Sequence, residues 1–406
     1  MKIAVLGYGT IGSGVVEAIE KNQENIAKRA GDEIVVKYVL DLRDFPGNPV
    51  EEMLVHEFSV IAADEEIECV VEAMGGVEPA YSYVKESLLR GKSVCTSNKE
   101  LVAKHGAELL EIARQKKVNF LFEASVGGGI PIIRPLNQSL TADEIVEITG
   151  IVNGTTNYIL TKMSREGATF EAALAEAQAL GYAERNPEAD VEGYDAGRKL
   201  AILTSLAYGM QVDYEDIYME GITKITDTDF KYADAMGADI KLLATGKRTG
   251  DSFYAMVTPR LIRDDNPLYP VRGVFNSILV RGNLLGDVMF YGSGAGKLPT
   301  ASAVVADVVD ATKHRGTNIM TIWSNKKLAL SDRMESESGF FVRVPEEEEE
   351  TARAVFAGLE EIRIPVSSGV VGEFAFLTPK MSEREFAAKA ERISILNRIR
   401  AEWCAE

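Results

Sequence analysis

An α/β architecture that opens on a parallel, doubly wound sheet is the fold this sequence predicts, and three observations predict it. Short apolar, strand-like runs alternate with helix-like stretches from residue 2 to residue 124. A glycine-punctuated turn, Gly7-Tyr8-Gly9-Thr10-Ile11-Gly12, joins the first of those runs to the first helix. The alternation then gives way to a different pattern, so more than one unit is present; a chain of 406 residues suggests on the order of two or three domains.

Residues 2–6 (KIAVL) form a short run that is apolar after Lys2, as a strand covered on both faces requires. Residues 11–21 (IGSGVVEAIEK) repeat their apolar positions at helical spacing, and 34–40 (IVVKYVL) are β-branched and strand-like. Further strands are expected at 58–62 (FSVIA), 69–72 (CVVE), 92–96 (KSVCT) and 118–124 (VNFLFEA), with helices over 78–90 and 99–116. Strands separated by helices must run parallel.

A glycine-rich turn follows at 126–131 (VGGGIP), then a strand–turn–helix stretch over 145–164 and helices over 169–181 and 192–210. Strands return within 253–291, and Gly292-Ser293-Gly294-Ala295-Gly296 precedes a helix from about 299 to 312. By fold-level analogy that helix packs back on the first domain. Near residue 336 a third unit begins. It has a strand at 339–345, five acids at Glu346–Glu350 that suit a helix N-terminus, helix through 351–361, strand at 370–378 and helix at 382–400. The expected domains are 1–130 with 297–320, 131–296 and a small α+β unit at 336–406.

The composition narrows the function. The 62 acidic against 44 basic residues give a formal net charge of -18, which repels nucleic acid and anionic membranes. No apolar run approaches the ~18 residues of a membrane span, and the N-terminus enters a strand without a signal-peptide pattern. Three scattered cysteines and three unclustered histidines fit a reducing cytoplasm and argue against a disulfide framework or a zinc site.

The turn at Gly7–Gly12 is a GxGxxG between strand and helix, the arrangement that cradles a dinucleotide pyrophosphate. Gly7 permits the tight turn, Gly9 leaves room for the phosphates and Gly12 lets helix and strand pack closely. Tyr8, Thr10 and Ile11 lie in the same turn. The end of the second strand offers both an acid for a ribose 2′-hydroxyl, Asp41, and an arginine for a 2′-phosphate, Arg43, so the cofactor is read as NAD or NADP.

Residues 181–199 (GYAERNPEADVEGYDAGRK) concentrate the chemistry. Asp195 and Lys199 are i,i+4 and share one helix face. A plain surface ion pair would look the same. The further acids Glu184 and Asp190 in the same loop–helix junction favour a site in which an ammonium donates a proton beside a carbonyl.

Gly181-Tyr182-Ala183-Glu184, with Asp190, Gly193, Asp195, Arg198 and Lys199, resembles the signature block of homoserine dehydrogenases. Three other blocks are similar to that family in order and spacing: Ser97-Asn98-Lys99, the run Glu123 to Ile132 (EASVGGGIPI), and the run Asn153 to Leu160 (NGTTNYIL). With the glycine turn and Gly292–Gly296 the resemblance spans residues 1–315.

The resemblance implies interconversion of L-homoserine and L-aspartate 4-semialdehyde on a path to threonine, methionine and isoleucine. It implies a Rossmann-type cofactor domain, a substrate-binding and dimerisation domain, and a homodimer or homotetramer. It assigns Lys199 as proton donor, Asp195 to hold substrate and orient that lysine, Glu184 to bind substrate, and Asp190 to support the same pocket. Lys99 is expected to face both cofactor and substrate; Ser97, Gly181 and Gly296 are expected at the cofactor. Glu123, with the carbonyls of Val126, Gly128 and Ile130, matches the family's monovalent-cation site, with sodium as the expected ion. The C-terminal unit resembles an ACT-type regulatory domain, except that Pro345 and five glutamates stand where an acidic-Pro-Gly effector loop is expected.

Two other readings compete. One is another Rossmann oxidoreductase such as aspartate-semialdehyde dehydrogenase, which needs an activated cysteine, for which Cys95 is the candidate. The other is a non-catalytic NAD(P)-binding sensor, which does not need Lys199 and Asp195.

Overall fold

The computed structural model describes residues 1–405, Val366 by its backbone alone. The N-terminal unit runs β1 (Lys2–Leu6), α1 (Thr10–Lys21), α2 (Gln23–Ala30), β2 (Val35–Leu40), β3 (Leu54–Val55), α3 (Phe58–Ala63), β4 (Ile67–Glu72), α4 (Ala80–Leu89), β5 (Ser93–Thr96), α5 (Lys99–Lys116) and β6 (Phe120–Leu121). Its six strands lie in the order β3-β2-β1-β4-β5-β6 and every pair is parallel. The order reverses between β1 and β4, which opens a crevice at the carboxyl ends of those strands. β1, β4 and β5 are almost wholly buried, so helices must cover both faces.

Two expected strands differ here. Residues 58–62 form α3, because Phe58, Ile61 and Ala62 fall at i, i+3 and i+4 and are buried together. The run at 118–124 keeps only two strand residues before a single 3-10 turn, Glu123–Ser125.

The chain continues with α6 (Ile133–Gln138), β7 (Ile145–Ile151), α7 (Gly154–Glu166), α8 (Phe170–Ala179), α9 (Glu188–Val191), α10 (Tyr194–Tyr208), β8 (Met210–Gln211), β9 (Tyr218–Met219), α11 (Asp227–Ala235), β10 (Ala238–Thr249), β11 (Ser252–Arg263), β12 (Phe275–Gly282) and β13 (Gly286–Ser293). β10, not among the expected strands, pairs along its whole length with β11. Next comes α12 (Lys297–Lys313), which packs on α1 with Lys297 Nζ 2.6 Å from Glu17. Past α12, the Asn119 amide donates to the carbonyls of His314 and Thr317 and so fastens the outgoing chain to the first unit.

Then come β14 (Ser324–Lys327), paired with β8, and β15 (Glu337–Pro345), α13 (Glu349–Val355), β16 (Glu360–Glu361), β17 (Glu373–Leu377), β18 (Met381–Ser382), α14 (Glu383–Ala390) and β19 (Asn397–Ala401). The glutamate run forms a 3-10 turn and the first turn of α13, where backbone N–H groups favour negative charge. Residues 382–400 are not one helix: α14 ends at Ala390 and 397–401 form a strand.

β19 pairs antiparallel with β15 and parallel with β11 (Arg260 opposite Arg400, Leu261 opposite Ala401). The C-terminal strands therefore extend the middle sheet, in the order β13-β12-β7-β10-β11-β19-β15-β17-β16. Buried ion pairs weld the joint. Arg400, 1 % exposed, donates to Glu220 at 2.7 Å and to Glu383 at 3.0 Å, and Arg343 donates to Asp229 at 2.7 Å and Glu373 at 2.8 Å. Arg400→Leu leaves the buried Glu383 without its close partner and Glu220 with Arg398 alone, and is expected to cost about 3–5 kcal/mol in urea unfolding. An unchanged midpoint would mean that strand pairing alone holds β19.

Candidate active site

The crevice begins at the glycine turn. Gly7 adopts φ +94°, and a Cβ at Gly12 would collide with the Gly7 carbonyl, so neither tolerates a side chain. At Gly9 a Cβ would meet nothing within 4 Å, so this face of the turn is open. No side chain caps α1, and its first N–H groups, at Thr10, Ile11 and Gly12, are left for an anion.

Asp41, at the end of β2, accepts from the Tyr8 N–H at 2.8 Å. Arg43 grips the same carboxylate through Nε and Nη2, both at 2.9 Å, and holds its carboxyl well below the usual range. The acid and the arginine expected at this strand end are thus one ion pair beside the turn.

The next element is the loop between β5 and α5. Ser97 is half-buried there, and Asn98 caps α5 by accepting from Leu101 N–H at 3.1 Å. Lys99 is the first residue of that helix. From the middle unit, α10 packs on α5 and brings Asp195 and Lys199 with it. Lys99 Nζ lies 2.6 Å from Asp195 Oδ1, and Lys199 Nζ lies 2.6 Å from Asp195 Oδ2. Lys199 also donates to the Val152 carbonyl at 2.7 Å.

Asn153 completes the cluster. It caps α7 through Oδ1, and its amide nitrogen donates to Asp190 at 2.7 Å and to Asp195 at 2.9 Å. Asn153 lies beyond the site residues expected from the sequence. The signal was present: an Asn immediately before a helical run is a capping residue, and its amide has two donors to spare.

Two lysines and two carboxylates balance in charge, but burial treats them differently. Burial works against the charge of Asp195, and the ammonium groups of Lys199 and Lys99 overcome it and hold the carboxyl well below its usual range. Burial lowers Lys199 more than Asp195 can raise it, and the positive charge of Lys99 adds to the fall. At Lys99 burial also opposes the charge, but Asp195 and Asp190 prevail and raise it. Burial raises Asp190, against the hydrogen bond from Asn153. The site therefore holds one firmly charged lysine beside a second whose proton is loosened.

Other expected residues lie nearby without joining the cluster. The Tyr182 carbonyl accepts from Thr155 Oγ1 at 2.6 Å, which ties the 181–184 segment to the start of α7. Gly181 and the Glu184 side chain at its ends are exposed. Gly296 is the N-cap of α12 and exposed. Glu123 is buried, and its two carboxylate oxygens accept from the N–H groups of Ile132, Ile133 and Arg134 at 2.6, 2.8 and 2.8 Å, capping α6. The carbonyls of Val126, Gly128 and Ile130 accept no hydrogen bond among the described residues. Gly128 has φ +56°, and a Cβ there would strike the carbonyl of Gly294, so the two glycine runs lie against one another.

A family model described as homoserine dehydrogenase matches residues 131–309, and another described as the homoserine dehydrogenase NAD-binding domain matches residues 7–123. The homoserine dehydrogenase of Mycobacterium tuberculosis is 47% identical over 320 residues, covering 77% of this chain and 72% of that protein. The chain belongs to the homoserine dehydrogenase family. The Bacillus subtilis homoserine dehydrogenase is 43% identical over 321 residues, covering 77% of this chain and 73% of its own. A crystal structure of a Thiobacillus denitrificans homoserine dehydrogenase superposes with a TM-score of 0.90 at 34% identity, covering 99% of this chain and 98% of that one. A hyperthermophilic archaeal homoserine dehydrogenase in complex with NADPH superposes with a TM-score of 0.66 at 30% identity, covering 77% and 97%.

The protein is accordingly an enzyme, an NAD(P)-dependent oxidoreductase of α/β fold with a Rossmann-like first unit. The two competing readings find no support. Cys95, the nucleophile that a semialdehyde dehydrogenase would need, is fully buried, and burial together with Cys69 pushes its thiol well up. Among the described residues no helix is long and apolar enough to cross a membrane.

The electrostatics give a pH expectation. Lys99 pushes Lys199 down, so Lys99→Met raises the pKa of Lys199. The limb on which homoserine oxidation rises with pH then moves to higher pH. Profiles of kcat for parent and variant measure the displacement; a limb that stays in place would separate it from Lys199.

Proposed function

We propose that Lys199 moves the hydroxyl proton in the interconversion of L-homoserine and L-aspartate 4-semialdehyde, with Asp195 and Lys99 setting its position and charge. The carrying observation is the single buried carboxylate of Asp195 shared by two ammonium groups. When bound at the glycine turn, the nicotinamide coenzyme accepts or returns the hydride.

An ammonium has three donors. Lys199 uses one on the Val152 carbonyl and one on Asp195, which leaves the third for the substrate oxygen. In the oxidative direction the neutral amine takes the hydroxyl proton, and its lowered pKa makes that form accessible. In the reductive direction the ammonium returns the proton to the aldehyde oxygen. Glu184 and Asp190 lie on the same loop–helix junction and supply negative charge for the substrate ammonium. Thr10, Ile11, Ser97, Gly181 and Gly296 are assigned to cofactor contact. The Asp41–Arg43 pair presents both 2′-hydroxyl and 2′-phosphate chemistry at one point, consistent with use of NAD or NADP.

We assign a structural monovalent cation such as sodium to the free carbonyls of Val126, Gly128 and Ile130, with the Glu123 carboxylate as nearby negative charge. The unit at 1–130 with 297–320 is assigned to cofactor, 131–296 to substrate and self-association, and 336–406 to an ACT-like role. The βαββαβ connection of that last unit supports this assignment, although its glutamate run lacks an acidic-Pro-Gly effector turn. The three unpaired cysteines suit a cytoplasmic setting.

For association, β13 is a sheet edge that exposes Met289 and Tyr291, with Phe275 stacked on Tyr291 and Leu284 and Leu285 at the hairpin tip. An apolar edge of this kind suits pairing with a second copy, as a homodimer or within a homotetramer. Met289→Lys with Tyr291→Asp is expected to lower the mass seen by light scattering toward the monomer. A mass equal to the parent's would place the interface elsewhere.

Lys199→Ala is expected to reduce kcat by about 10²–10⁴-fold, the span of general acid–base catalysis. Fluorescence titration should find NAD(P)H binding nearly intact. Turnover at the parent's rate would remove Lys199 from the mechanism.

A further inference from the structure

Glu72 is a buried carboxylate that the chemistry above does not use. It ends β4, is 0 % exposed and meets no lysine or arginine within ion-pair distance among the described residues. A carboxylate buried without a cation is costly unless donors surround it. Three donors form that surround, and all lie at the carboxyl ends of β4 and β5. The N–H groups of Met74 and Gly75 donate to Oε1 at 2.8 and 3.3 Å. Thr96, opposite Glu72 in the β4–β5 register, donates its hydroxyl to Oε2 at 2.5 Å. The same hydroxyl accepts from Asn98 N–H at 2.9 Å. Asn98 then returns to the first loop, its amide donating to the Gly76 carbonyl at 2.5 Å, while its Oδ1 caps α5.

The circuit closes: Glu72, the 74–76 loop, Asn98, Thr96 and back to Glu72. It binds together the loops that follow β4 and β5 at the carboxyl edge of the sheet. Lys99, held against Asp195, is the residue immediately after the Asn98 cap. The Gly7 turn packs on the same edge, where a Cβ at Gly7 would come 3.0 Å from the Ala73 carbonyl.

We infer that Glu72 is a positioning residue: through Thr96 and Asn98 it fixes the start of α5 and therefore where Lys99 meets Asp195. The inference rests on the role proposed above for Lys199 and its partners. An acceptor-only group is needed at position 72. Because Glu72 accepts, the Thr96 hydroxyl is committed to donating toward it and keeps a lone pair for Asn98. A glutamine could turn its amide nitrogen to Thr96, leaving that hydroxyl proton without its acceptor. Burial pushes the Glu72 carboxyl up, while the donors from Thr96, Met74 and Gly75, with the Asn98 amide nearby, draw it down.

The test compares Glu72→Gln, Thr96→Val and Thr96→Ser with the parent in homoserine oxidation. Glu72→Gln and Thr96→Val are each expected to lower kcat about tenfold, the scale of a sub-ångström misplacement. They should also move the alkaline-rising limb toward that of Lys99→Met, with NAD(P)H affinity nearly unchanged. Because both act on one circuit, their combination should cost no more than either alone. Thr96→Ser, which keeps the hydroxyl, should recover most of the loss. If Glu72→Gln does not fold, the two Thr96 variants decide. A parental kcat and pH limb in Thr96→Val, or a loss that Thr96→Ser does not recover, overturns the inference. A parent protein that does not oxidise homoserine would instead overturn the functional reading beneath it.

Discussion

One buried carboxylate governs this site. Asp195 gives one oxygen to Lys99, on the first helix turn after β5, and the other to Lys199 and Asn153, on the middle unit. Three elements from two sheets converge on a side chain that is 5 % exposed. A lone carboxylate there could not stay charged, and two lysines without it would repel one another. Sharing also decides where the protons are held. If Asp195 served Lys199 alone, its attraction would work to keep that ammonium protonated. Divided between two cations and set against burial, it leaves Lys99 the firmer charge and Lys199 the looser proton.

The shared carboxylate works only if the two units approach at a fixed distance, and two of the chain's crossings between them run side by side. The outgoing crossing runs through 123–134 and the return through 293–299. Gly129 N–H donates to the Ser293 carbonyl at 3.1 Å, and Gly128 lies against Gly294. Glu123 caps α6 on the outgoing side, and its own N–H donates to Asp307 of α12 at 2.8 Å. Arg134 bridges Asp307 and Asp310 of the same helix at 2.7 and 2.6 Å. The Glu123 carboxylate thus anchors the crossing, and the free carbonyls of Val126, Gly128 and Ile130 lie on the turn beside it.

Much of this was legible in the residues, for physical reasons. The glycine turn announces itself because Gly7 needs positive φ and Gly12 a close approach that no other residue allows. Asp195 and Lys199 could be placed together because a helix repeats every 3.6 residues. Their partnership with Lys99, nearly a hundred positions earlier, depends on tertiary packing of α10 on α5, which no local spacing reports. Residues 58–62 misled because a short apolar run fits either period. The strand at 397–401 was hidden because Arg398 and Arg400 look like exposed helix residues. In the fold Arg400 is buried on Glu220 and Glu383. β10 carries no strand mark because it lies between β7 and β11 in one sheet and is buried on both faces over most of its length, with no clean alternation of polar and apolar positions.

That last strand also changes what the C-terminal unit can be. β19 closes the βαββαβ unit against β15 and, on its other side, extends β11, so the unit does not hang from a linker. Arg400 and Arg398 both hold Glu220. Glu220 N–H donates to the Val257 carbonyl of β11, and Ile222 N–H to the Val191 carbonyl at the end of α9. Gly221, between them, lies so close to Val191 and Glu192 that no side chain fits. The turn that delivers Asp190 and Asp195 therefore rests on a segment pinned by the final strand of the chain. A displacement of β19 relative to β11 would reach the site through these contacts without any ligand touching it. Such a route runs through a shared sheet and needs no separate domain motion.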